Sequence, residues 1–80
     1  MKLESNSDFE VLGFSDNRYK RLTAEIQYKG EPIAQVNQDK GVDALEVEIF
    51  ADLSSATLRV PFSGFFEAMI LAKDFIVESG

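Results

Sequence analysis

The run Arg59-Val60-Pro61-Phe62-Ser63-Gly64-Phe65-Phe66-Glu67-Ala68-Met69-Ile70-Leu71-Ala72-Lys73-Asp74-Phe75-Ile76-Val77 holds the change of hydrophobic period that decides the fold. Before it, over residues 22–60, apolar side chains tend to fall on every second position, as a half-buried strand requires. Over residues 64–77 they recur at spacings of three and four, which sets them along one side of a helix. Pro61 ends the strand pattern, Ser63 is suited to cap the helix, Glu67 suits an early turn, and Gly80 follows the end. Phe65, Ala68, Met69, Ala72, Phe75 and Ile76 form one apolar arc. The expected fold is therefore α+β: an antiparallel meander of four or five strands with one C-terminal helix packed on one face.

Working outward, the strand pattern is clearest where Leu22, Ala24, Ile26 and Tyr28 alternate with Thr23, Glu25, Gln27 and Lys29. Lys29-Gly30-Glu31-Pro32 reads as the turn after it, because glycine tolerates positive φ and proline is confined to a strand's start or edge. Residues 33–36 continue as a strand, Asn37-Gln38-Asp39-Lys40-Gly41-Val42-Asp43 as a turn, and Leu45, Val47 and Ile49 alternate with Glu46 and Glu48. A turn at Ser54-Ser55 leads to a last strand over residues 57–60, with Leu58 and Val60 facing the core. Phe9, Val11 and Gly13 alternating with Glu10, Leu12 and Phe14 make a first strand, followed by a loop from Ser15. One domain is expected, with residues 1–8 loose, 9–61 forming the sheet and 63–79 the helix.

Composition removes several kinds of chemistry. The chain of 80 residues has no Cys and no His, so it lacks a thiolate nucleophile, a disulfide framework and the usual ligands of zinc, copper or iron. Ser54, Ser55 and Ser63 have no histidine to activate them, and Lys73 lies on a solvated flank. A hydrolase built on paired glutamates needs a pocket with two carboxyls of separated pKa, which a thin sheet with one helix does not offer. No catalytic residue, cofactor or metal is expected. Asn37, Asp39, Asp43 and Glu48 invite a calcium reading, but the glycine falls at the wrong loop position and the flanks alternate as in a hairpin. With 14 acidic against 8 basic residues the field repels nucleic acid and anionic lipid, and Arg18, Lys20 and Arg21 around Tyr19 are too few to reverse it. The first twenty residues hold no uninterrupted apolar stretch of signal or membrane length, so a cytoplasmic location is expected.

Two surfaces stand out. On the sheet's outer side the alternation gathers Glu25, Glu46 and Glu48, with Asp39 nearby and Phe50 at one end. This is either a solvated face, with Arg59 paired to a neighbouring glutamate, or a docking surface on which the carboxylates steer a basic protein and Phe50 anchors it. On the helix, Phe66, Ile70 and Val77 make a second apolar ridge beyond the main arc. Either the N-terminal segment or a long strand, with Leu12 or Phe14, folds over it, or it forms a dimer or partner interface.

The cadence of these segments also carries a resemblance. A Phe-rich first strand, Tyr19 before Leu22-Thr23-Ala24-Glu25-Ile26, the turn Tyr28-Lys29-Gly30, the loop Asn37-Gln38-Asp39-Lys40-Gly41, the strand from Leu45 and the helix start Phe65-Phe66-Glu67-Ala68 look like a group of small bacterial proteins. These are similar in size and acidity to immunity proteins, which protect a producing cell by binding its secreted toxin. The resemblance implies a non-catalytic protein that neutralises a toxin by occluding its active surface, with a basic toxin domain as partner. The alternative is a self-associating structural or accessory domain, homodimeric through the helix ridge.

Overall fold

The computed structural model describes residues 1–15, 17–50 and 57–79. The turn at Ser54-Ser55 and the helix stop at Gly80 lie outside the described residues. Strands β1 (Phe9–Phe14), β2 (Thr23–Tyr28), β3 (Glu31–Asn37) and β4 (Glu46–Ile49) pair antiparallel in chain order, and helix α1 (Phe62–Ser79) packs on one face. The architecture is the expected α+β meander, with four strands among the described residues. Connections of eight, two and eight residues favour this neighbour order, since none is long enough to carry a crossover helix. Between β2 and β3 the two turn residues Lys29 and Gly30 both have positive φ, at 52° and 84°, the turn whose twist matches a right-handed hairpin.

Register sorts the side chains between two faces, because residues directly opposite in antiparallel strands project to the same side. Val11, Ile26, Ala34 and Ile49 form one row, and Gly13, Ala24, Val36 and Val47 the next. Both rows lie on the side that bears α1. There Phe9, Val11, Ala24, Ile26, Ala34 and Val36 are buried against Ala68, Ala72 and Ile76 of the helix. Two alanines at the contact bring the helix backbone close to the sheet, and Gly64 continues the same stripe against the Phe9 ring. Phe9 in turn packs on Tyr28, with ring centroids 4.8 Å apart. At the other end of α1, the buried Gln38 side chain donates to the Ile76 carbonyl at 3.0 Å and so satisfies a helix-end acceptor.

Three sequence expectations are corrected by the structure. Residues 1–8 are tied down: Leu3 is buried, its N–H donates to Phe9 O, Val11 N–H donates to Met1 O, and Lys2 bridges Glu10 beside β1. The helix begins at Phe62 rather than after Ser63, its first bond running from Phe65 N–H to Pro61 O, and Glu67 lies beyond the first turn. Glu67 instead accepts a hydrogen bond from the Ser5 hydroxyl. Residues 57–60 form no strand; Val60 rests against the core while Leu58 is exposed, since alternation alone does not pair a segment into a sheet. Phe65 and Phe75 of the apolar arc are half-buried against the core, and the fully buried aromatic among the described residues is Phe9, from the other end of the chain.

Candidate functional site

The outer face is not the open glutamate surface that alternation alone suggests. Leu12, Glu25, Gln35 and Glu48 form one row across all four strands, yet Gln35 and the neighbouring Thr23 are buried. The loop between β1 and β2 lies on this face. Arg18 grips Glu48 with both terminal nitrogens, at 2.6 and 3.1 Å, and the Tyr19 hydroxyl donates to the same carboxylate at 3.1 Å. Gln35 Nε2 donates to Glu48 at 3.2 Å, and Thr23 donates to Phe14 O at 2.9 Å and to Gln35 Oε1 at 3.2 Å. Asp39 completes the attachment by accepting the backbone N–H groups of Lys20 and Arg21 at 3.1 and 3.3 Å.

Two of the five expected partner-binding residues, Glu48 and Asp39, therefore hold the protein's own loop. Glu46 is paired with Lys40 at 3.0 Å, Glu25 accepts from Gln27 at 2.8 Å, and Phe50 stands at the end of β4 with its N–H on Ile33 O. The Arg18 guanidinium hydrogen-bonded to Glu48 holds its carboxyl below the usual range, against the opposing effect of desolvation and with help from Tyr19 and Gln35. A lowered carboxyl pKa means that the ionised latch adds stability above the ordinary glutamate range and loses it as the pH falls through the lowered value. For a surface pair that contribution stays below about 1 kcal/mol. A carbon-detected NMR titration of Glu48 should give a midpoint below that of an ordinary glutamate, and Arg18→Ala should raise it. A midpoint at or above the ordinary value in the parent protein would show that the latch does not form.

The helix ridge is uncovered. The N-terminal segment closes only the flank of α1 at Glu67 and Leu71, bordered by Met1, Leu3 and Ser5, and it leaves Phe66, Ile70 and Val77 exposed. All three stay exposed, and Phe62 extends their ridge at 86% exposure, its ring stacked on Phe66 with centroids 6.2 Å apart. Phe62 escaped the sequence reading because a cap at Ser63 would place it outside the helix; its spacing of four from Phe66 was the available signal. At 100° per residue Glu67, Asp74 and Glu78 line one flank of this ridge, and Lys73 lies within it.

A third surface was not foreseen. Helix α1 lies over β1, β2 and β3 and does not approach β4. Val47 and Ile49, expected to face the core, are thus 44% and 61% exposed on the helix-bearing side, while Leu45 alone of that set packs against the core.

Among the described residues no group of three carboxylates is placed to hold a metal ion, and no helix is long and apolar enough to cross a membrane. No family model, curated protein or solved structure matches the chain.

Proposed function

We propose that this chain is a non-catalytic protein-binding module of the immunity type, acting in the cytoplasm by covering the active surface of a basic toxin domain. The observation that carries the reading is the exposed ridge of Phe62, Phe66, Ile70 and Val77, rimmed by Glu67, Asp74 and Glu78 on a chain of net charge −6. Taking about 200 Å² for a phenylalanine, the first two residues alone leave more than 250 Å² of apolar surface in water, comparable with the whole largest patch of many monomers. Aromatic anchors inside an acidic rim suit a basic protein: the rings supply affinity on desolvation and the rim speeds encounter. A second copy fits this ridge less well, since a two-fold pairing brings two acidic rims together.

Glu25, Glu46 and Phe50 keep a place in this proposal as a second, steering surface, whereas Asp39 and Glu48 act by fixing the loop. The test is titration against the purified product of the adjacent coding sequence. Phe62→Glu with Phe66→Glu should weaken binding by well over tenfold, as loss of a hot spot does, with circular dichroism unchanged. Reversal of Glu25 and Glu46 should mainly slow association at low salt. No association in the parent protein removes the immunity reading; association indifferent to the ridge variants removes the ridge.

A further inference from the structure

We infer that β4 is a self-recognition edge, on which a second copy of this chain pairs strand to strand about a two-fold axis to continue the sheet. The inference is independent of the ridge. The Phe50 N–H donates to Ile33 O, so the alternation of an antiparallel ladder directs the backbone groups of Glu46, Glu48 and Phe50 toward β3 and those of Leu45, Val47 and Ile49 away from it. Among the described residues those outward groups meet no other strand, whereas the opposite margin of the sheet is bordered by the Lys2–Glu10 bridge.

The occupant follows from self-complementarity. With the two-fold at Val47, the three outward residues fall into hydrogen-bonded pairs: Val47 with Val47 of the second copy, Leu45 with Ile49, and Ile49 with Leu45. On the helix-bearing side this sets apolar against apolar and covers the two side chains that α1 leaves open. On the other side it sets Glu46 beside Glu48 of the second copy, and each arrives with its own cation, Lys40 at 3.0 Å and Arg18 at 2.6 Å. Each half of that contact holds two carboxylates, a lysine and an arginine, so it is charge-balanced despite the acidity of the chain. Edge strands of monomers are commonly blunted by brevity, charge, a proline or a bulge; β4 is four residues long and carries two glutamates, but each is paired with a cation of its own chain, and the strand holds no lysine, proline or bulge.

Sedimentation equilibrium and hydrogen exchange on the full chain test this. At several hundred micromolar the mass should approach twice 8.9 kDa, with the Val47 and Ile49 amides protected at high concentration and exposed on dilution. Val47→Pro removes an outward donor without touching the β3 ladder, and Ile49→Lys puts a charge on the edge; each should return the mass to that of the monomer with the circular dichroism retained. Phe66→Glu should leave the dimer intact. A parent protein that stays at 8.9 kDa overturns the inference, and so does a dimer lost on Phe66→Glu but kept on Ile49→Lys, which places the second copy on the ridge. Protection of Val47 and Ile49 independent of concentration also overturns it, because the protein's own chain then covers the edge.

Discussion

Phe9→Ala should remove a large part of the protein's folding stability at 25 °C. Phe9 is fully buried, packs on Tyr28, and supplies the surface on which the first turns of α1 rest at Gly64. Truncating a buried phenylalanine costs about 3–5 kcal/mol, while a chain of this length has a total stability of about 4–12 kcal/mol. With a urea slope of about 1 kcal/mol per molar, the unfolding midpoint should fall by about 3 M or more, or the folded baseline should vanish. Leu58→Ala, at an exposed position, is the matched control and should stay within about 0.5 kcal/mol of the parent. If Phe9→Ala were to shift stability no more than Leu58→Ala, the contact between β1 and the helix would not be the centre of the core.

Gly64→Leu should be destabilising by about 2 kcal/mol, the net of an overpacking cost of about 3 kcal/mol and the roughly 1 kcal/mol by which leucine favours helix over glycine. A Cβ on Gly64 would stand 2.5 Å from Phe9 Cε2, and that ring, buried on all sides, has nowhere to swing. The two terms oppose each other, and the steric one is larger because the core is close-packed. Coupling supplies a sharper check. In a Phe9→Leu background the obstruction shrinks, so Gly64→Ala should become neutral or stabilising there while remaining harmful in the parent. Additive effects of the two substitutions in thermal unfolding would rule out the contact.

Much of the fold was legible because it is written in local spacing. Alternation gave β1, β2 and β4, the Lys29-Gly30 turn announced its hairpin, and the switch to threes and fours past Pro61 announced α1. The failures have a common character. Residues 57–60 alternate but do not pair into the sheet, and residues 1–8 look polar although one leucine in the right place is enough to dock them. The candidate site was harder still. Glu48 could be placed on the outer face from its neighbours, but nothing nearby in sequence says that Arg18, thirty residues earlier, will take it. Val47 and Ile49 alternate as core residues should, and are exposed only because the helix passes them by.

The sequence by itself determined the elements, their order and an acidic surface, since period, turn chemistry and charge are properties of residues a few positions apart. Only the tertiary structure decided which carboxylates are held within the chain, which apolar side chains are covered and which strand is left as an edge. One helix is wide enough to shelter three strands of a twisted sheet, and where it lies depends on Phe9, Ala68, Ala72 and Ile76 meeting across the length of the chain. What that helix leaves uncovered is its own outer ridge and the apolar side of β4.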